Sequence, residues 1–289
     1  MISRISVTSV STLAQAYSVL AAKPPGLRVL AGGTDLMVQI NARVNLDNLG
    51  HVLDIWGLHP LRGIELRGDR LSIGALTTYM DLIQSPLVRA WFPALAEVSR
   101  EVGAWAIQNR GTLGGNVCNA SPAGDTLPLL LAADAQFNLG GPRGERAVAA
   151  SDVFVGYRQT ALATDELLLR VELPTQSAER GEKLLYRKVG TRRAQSISRI
   201  LLAVGATVVG RSLHNVRLAA GCVAPVPLRC RAAEHALEGK RLDPAVLSSA
   251  RDALEADIHP IDDVRGTAEY RRTASGNAME QLLSALVQS

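Results

Sequence analysis

Two short glycine-rich stretches, Ala31-Gly32-Gly33-Thr34-Asp35 and Gly111-Thr112-Leu113-Gly114-Gly115-Asn116, restrict this chain more than any other feature. Adjacent glycines admit positive φ and let backbone approach a bulky group with no Cβ in the way. Successive N–H groups in such turns form concavities that suit a pyrophosphate. Thr34, Thr112 and Asn116 add hydroxyl and amide donors without adding charge. One Gly-Gly between strand and helix is more often an ordinary tight turn. Two such loops, each flanked by hydroxyl or amide residues, favour a phosphate-bearing ligand. Neither is the dinucleotide fingerprint G-x-G-x-x-G or the P-loop, so the residues by themselves lead no further than that ligand class.

Local patterning sets both stretches among alternating strands and helices. Residues 11–20 carry apolar positions at helical spacing behind cap candidates, and Pro24-Pro25-Gly26 stops that helix. Residues 27–31 read as a strand ending at Gly32-Gly33. Thr34-Asp35 stands where a following helix would be capped, and 52–55 is another strand. From about 58 to 174, a hairpin over Arg67-Gly68-Asp69 precedes helices at 78–84 and 93–102. The second glycine stretch follows as a loop. Beyond it come an apolar helix at 127–133, opened by Asp125-Thr126, and strands at 135–139 and 167–174. The polar run 175–181 reads as a linker. Strands at 183–189, 200–209 and 216–222 then precede helices at 231–237, 244–256 and 268–287, an α+β order.

At 289 residues the chain is long enough for two domains. Apolar residues make up 47% and charged residues 20%, which supplies a core. Aromatic residues are only 4%, so that core must be aliphatic. The net charge of +4 is carried by scattered residues, with no basic run of the kind that binds nucleic acid. Cys118, Cys222 and Cys230 are too few for a disulfide framework or for an iron–sulfur cluster, which takes four thiolates. Met1-Ile2-Ser3-Arg4 begins no signal peptide, and no window holds the ~18 apolar residues of a spanning helix. A cytoplasmic protein without a membrane span is expected.

The second stretch continues as Val117-Cys118-Asn119-Ala120-Ser121-Pro122-Ala123-Gly124-Asp125. Together with the first, it resembles the FAD-binding medium subunit of the xanthine dehydrogenase and carbon monoxide dehydrogenase family, the molybdenum hydroxylases. Tyr186-Arg187-Lys188-Val189-Gly190, Arg193-Ala194-Gln195 and Gly221-Cys222-Val223-Ala224-Pro225-Val226-Pro227 are similar to the smaller C-terminal domain found in flavin subunits of that family. The resemblance covers nearly the whole chain.

It implies an α+β protein. A two-lobed, vanillyl-alcohol-oxidase-type (PCMH-type) FAD-binding domain would span 1–176, with lobes at about 1–57 and 58–176. A smaller domain over 177–289 would hold a three-stranded antiparallel sheet and helices. Leu30, Ala31, Gly32, Gly33, Thr34, Asp35 and Leu36 would hold the pyrophosphate, with Arg28 as a basic residue just upstream. Thr112, Leu113, Gly114, Gly115 and Asn116 would wrap the cofactor's other side. Asp125 would bond its sugar or ribityl region, and Leu168 and Lys188 match further contact positions. Each of these last three also has a plain structural reading, as helix cap, core residue and solvated strand residue.

No catalytic acid or base and no metal ligand is implied. The five histidines lie outside both stretches, so FAD is expected to be non-covalent. The molybdenum cofactor would sit in a large partner protein and the iron–sulfur clusters in a small one. Electrons would pass through FAD to NAD or another acceptor. A stand-alone FAD oxidoreductase acting on a small organic substrate is the alternative, and a scaffold that has lost FAD is a third.

Overall fold

The computed structural model describes residues 5–44, 49–175, 181–192 and 195–288. The chain opens on strand β1 (Ser6–Ser9), helix α1 (Leu13–Ala22), strand β2 (Leu27–Leu30), helix α2 (Leu36–Ala42) and strand β3 (His51–Asp54). The three strands form a parallel sheet in the order β1-β3-β2. Thr12 starts α1 through a reciprocal capping box with Gln15, and Lys23 ends it in the left-handed conformation. The first glycine stretch is therefore the turn from β2 into α2. Asp35 occupies the cap position of α2, but its side chain makes no capping bond there.

The second lobe is antiparallel. Strands β4 (Ile64–Arg67), β5 (Arg70–Gly74), β6 (Gln136–Gly141) and β7 (Gly144–Ala149) belong to its main sheet, β8 (Phe154–Gly156) and β9 (Gln159–Thr160) pair separately, and β10 (Leu167–Pro174) completes the main sheet. The order is β4-β5-β10-β6-β7. Leu71, Ile73, Phe137, Leu139, Val171 and Leu173 alternate along their strands and are all buried in one core. Helices α3 (Tyr79–Gln84), α4 (Pro86–Trp91), α5 (Pro93–Glu101), α6 (Trp105–Gln108), α7 (Leu113–Asn119), α8 (Leu127–Ala132) and α9 (Ala150–Val153) lie between these strands in sequence. All but α6 contribute buried residues to that core.

The second glycine stretch, expected as a loop, is the first turn of α7. Thr112 caps it, its hydroxyl accepting the Gly115 N–H at 3.0 Å. Gly114 lets it lie directly on Ala75, whose carbonyl a Cβ would meet at 2.6 Å.

The last third has the expected three long strands, β11 (Lys183–Val189), β12 (Ile200–Val209) and β13 (Ser212–Gly221), with a two-residue edge strand β14 (Leu228–Arg229) beside β13. Helices α10 (Arg231–Leu237), α11 (Pro244–Asp257) and α12 (Ala268–Gln288) follow. One face of β12, with Ile200, Leu202 and Val204, packs with Met279 and Leu283 of α12. Ala203 of β12 and Ala219 of β13 instead join the core that holds Leu130 and Leu131 of α8. Across the same junction Cys222 N–H donates to the Pro122 carbonyl at 2.8 Å, and the Arg217 guanidinium to that of Ala132 at 2.6 Å. The linker expected over 175–181 falls largely outside the described residues, as do Arg193 and Ala194.

Candidate functional site

The two glycine stretches meet back to back. A Cβ on Gly32 would stand 1.8 Å from the Arg110 carbonyl oxygen, so the absent side chain is what allows the contact. Gly33 follows in the left-handed region at φ +81°, where an L side chain is strained. None of the backbone N–H groups of Gly32, Gly33, Thr34, Asp35 and Leu36 donates to another described group of the chain. The segment is half-buried, with Asp35 exposed, so these donors stand open to an incoming acceptor. The second stretch behaves differently, because its donors are consumed internally. Leu113 N–H bonds Thr77, Gly114 N–H bonds Ala75, and Asn116 N–H bonds the Thr112 carbonyl.

A cavity of about 320 Å³ opens in front of both stretches. A second, of about 950 Å³, lies toward the C-terminal domain. They share Thr34, Asp35, Tyr79, Asn116 and Asn119 and so form one cleft. Each cavity is within the size range of a ligand pocket, about 300–1,000 Å³.

At the junction of the two cavities the side chains are held. Thr126 donates to Oδ1 of Asn116 at 2.6 Å, which leaves the Asn116 amide nitrogen as the free donor. Asn119 donates to Asp35 at 2.8 Å and accepts from Arg158 at 2.7 Å. Burial raises the Asp35 pKa, while Arg158 and Asn119 act to lower it. Tyr79 is buried, and desolvation reinforced by Asp125 and Asp35 pushes its ionisation far up, so it remains a neutral phenol.

Asp125 lines the second cavity. Its carboxylate accepts from Lys188 Nζ at 2.6 Å and from Ser198 Oγ at 2.7 Å. Lys188 also donates to the Glu101 carbonyl at 3.1 Å, and its side chain is only 2% exposed. Burial pushes the Asp125 carboxyl above its ordinary value, against the lowering effect of Lys188 and Ser198.

Comparison with known proteins gives the chain a family. The model for the FAD binding domain in molybdopterin dehydrogenase matches residues 3–176, and that for the CO dehydrogenase flavoprotein C-terminal domain matches 185–286. The chain belongs to this family of FAD-binding subunits. The putative xanthine dehydrogenase FAD-binding subunit of Escherichia coli (strain K12) is 33% identical to this flavin subunit, over 90% of this chain and 88% of that one. The carbon monoxide dehydrogenase medium chain of Hydrogenophaga pseudoflava is 32% identical over 95% and 94%. A solved structure of carbon monoxide dehydrogenase from that organism superposes with a TM-score of 0.91 at 32% identity, covering 97% of this chain and 96% of the other. Quinoline 2-oxidoreductase from Pseudomonas putida 86 gives 0.89 at 25% identity, over 99% and 97%.

In this flavin subunit the residues singled out from sequence separate by position. Arg28, the run from Leu30 to Leu36, Thr112, Gly114, Gly115, Asn116 and Leu168 line the first cavity. Leu113 does not; it is fully buried in the core. Lys188 lines neither cavity and stands behind Asp125. The solvated-strand reading of Lys188 and the helix-cap reading of Asp125 both fail. The cap position of α8 belongs to Thr126, and the Asp125 side chain is committed to Lys188 and Ser198. Sequence reasoning passed over Tyr79 and Ser198, which no glycine or motif marks, and gave no role to Asn119, although it stands in the continuation of the second stretch. His259, outside both glycine stretches, lines the second cavity.

The arrangement fits FAD. Five unpaired N–H groups stand at one point of a cleft that continues past an amide donor, a phenol and a fixed carboxylate. Cys118 also lines the first cavity and is an exposed free cysteine there.

Proposed function

We propose that this chain is the electron-transferring flavin subunit of a three-subunit molybdenum hydroxylase and that it holds FAD non-covalently along the cleft. The observation carrying this reading is the row of unpaired N–H groups from Gly32 to Leu36, opening onto a continuous cleft that runs past Asp125. The pyrophosphate would accept from these N–H groups. Arg28, Leu30, Ala31 and Leu168 would flank the same half of the cofactor. Thr112, Gly114, Gly115 and Asn116 would face it from the other side, with Leu113 anchoring their turn in the core. Asp125, fixed as an acceptor by Lys188 and Ser198, would take hydroxyl donors of the sugar or ribityl chain.

FAD supplies the redox chemistry when bound, accepting electrons and giving them on. The chain's residues bind it, orient it and close it from water. None need act as general acid or base. The FAD domain would end near residue 176 and the C-terminal domain would close the far side of the cleft. A large partner with the molybdenum cofactor and a small one with iron–sulfur clusters would supply the electrons, and NAD or another acceptor would remove them. The chain would work in the cytoplasm; among the described residues no helix is long and apolar enough to cross a membrane.

Affinity purification of the tagged chain from its own cells tests the proposal. One larger and one smaller protein should co-purify, with molybdenum and iron in the complex. If the chain is recovered alone and oxidises an organic substrate at ordinary enzyme rates, about 1–10³ per second, the stand-alone reading replaces this one.

A further inference from the structure

The connector between the lobes carries a stack that neither the cavity nor the cofactor reading uses. Trp56 lies between two guanidinium groups, with Arg62 Cζ 4.1 Å and Arg110 Cζ 3.8 Å from its ring centroid. Trp56 and Arg62 belong to the connector, whereas Arg110 immediately precedes the second glycine stretch. None of the three lines the first or second cavity. Each arginine nevertheless reaches a residue that does. Arg62 donates to the Leu76 carbonyl at 3.1 Å, and Arg110 to the Gly32 carbonyl at 3.4 Å. Arg62 also donates to the Trp56 carbonyl at 3.0 Å, which fixes the indole's own backbone.

Two cations around one ring would be expected to draw in a carboxylate. Among the described residues neither arginine forms an ion pair within 4 Å. Asp81 acts on Arg62 only at longer range, and burial together with the Arg110 charge lowers the Arg62 pKa. The two guanidiniums are thus held by the indole faces and by backbone carbonyls. Planar stacking combined with directed N–H donation is what arginine offers and lysine does not.

The location gives the stack its use. Gly32 touches Arg110 backbone to backbone, with no side chain interdigitating at that point, and the Asn119–Asp35 hydrogen bond ties the turn only further along. A contact of that kind has little packing of its own to set the separation. We propose that the Arg62–Trp56–Arg110 stack is a clamp that fixes the first glycine turn against the second and thereby tunes affinity for the pyrophosphate-bearing half of FAD. It rests on the FAD reading above. The three are positioning residues, acting through Gly32 and Leu76 rather than on the cofactor.

The test uses the full chain freed of flavin, titrated calorimetrically with FAD, ADP and FMN. Trp56→Phe keeps a π face, Trp56→Leu keeps bulk without one, and Arg110→Gln removes the cation at an exposed position. Loss of two cation–π contacts predicts that Trp56→Leu weakens FAD and ADP by about fivefold to thirtyfold. Trp56→Phe should stay within about threefold of wild type, and Arg110→Gln should fall between them. FMN, which keeps only one of the two phosphates, should lose less than FAD and ADP, and the melting temperature of the flavin-free protein should fall only slightly, by what the lost contacts are worth. Wild-type affinity for FAD in both Trp56→Leu and Arg110→Gln overturns the clamp. So does an equal loss of FAD, ADP and FMN, which marks plain packing. If Trp56→Leu does not fold, Arg110→Gln decides on the same criteria. Failure of the wild-type chain to bind FAD would overturn the flavin reading itself, a result distinguishable from failure of the clamp.

Discussion

Replacing Gly32 by alanine is the smallest change with the largest expected effect on the cleft. The new methyl would lie 1.8 Å from the Arg110 carbonyl oxygen and 2.6 Å from its carbon, both backbone atoms. Restoring an ordinary C···O separation of about 3.3 Å requires one segment to retreat by roughly 1.5 Å. The second segment is the firmer of the two, because Gly111 N–H bonds Ile107 at 2.6 Å and its carbonyl accepts from Tyr79 at 3.1 Å. The first turn therefore moves, and its five N–H groups move with it.

Overpacking of this kind costs about 1–3 kcal/mol, which for a chain of this size lowers the melting temperature by roughly 2–6 °C. The effect on binding is larger. Hydrogen bonds to a charged group contribute about 1.5–3 kcal/mol each, so misaligning two weakens FAD by about 100-fold or more. Titration of the flavin-free variant by flavin fluorescence measures this directly. Gly68→Ala is the control, because Gly68 has φ +59° but open space around it. It should lose about 1 kcal/mol of stability and no FAD affinity. Binding of FAD by Gly32→Ala within threefold of wild type would refute the argument.

Gly33→Val and Gly115→Val should each give a folded, less stable and colourless protein, checked by absorbance and melting. The first forces a branched residue to φ +81°; the second pushes on the Thr112 hydroxyl, 2.8 Å from the added Cβ, that caps α7. Lys188→Met strands the Asp125 carboxylate with Ser198 alone and should cost about 3 kcal/mol. Asp125→Asn combined with Lys188→Met should cost about 2 kcal/mol less than the two single changes summed, read from urea unfolding. Because burial sets the folded Asp125 pKa above its unfolded value, its contribution to stability is present below the unfolded value and is lost as pH rises through the folded one. Melting temperatures of the flavin-free protein between about pH 4 and 7 should show that slope, and the double variant should lack it.

Much of this was legible in the sequence because the signals were local. The turn at Gly32-Gly33 and the three long strands of the C-terminal domain follow from glycine placement and hydrophobic runs. Gly114 and Gly115 read as a loop because glycine costs about 1 kcal/mol in a helix. The Thr112 cap and the close contact with Ala75 override that cost. Strand β7 went unseen because Gly144, Glu145 and Arg146 are exposed and polar. Lys188 was found by resemblance, but its burial behind Asp125 depends on a pairing 63 residues apart. The stack on Trp56 was illegible for the same reason, since Arg62 and Arg110 are brought together only by the meeting of the two glycine stretches.

The flavin content of the purified chain tests the central claim most directly. The account predicts a yellow protein that releases FAD on acid or heat treatment, leaving colourless precipitate, with about one flavin per chain. The flavin-free protein should take up FAD again, and ADP should compete for the turn from Gly32 to Leu36. A protein that binds no flavin, releases FMN instead, or keeps its flavin in the precipitate would contradict it.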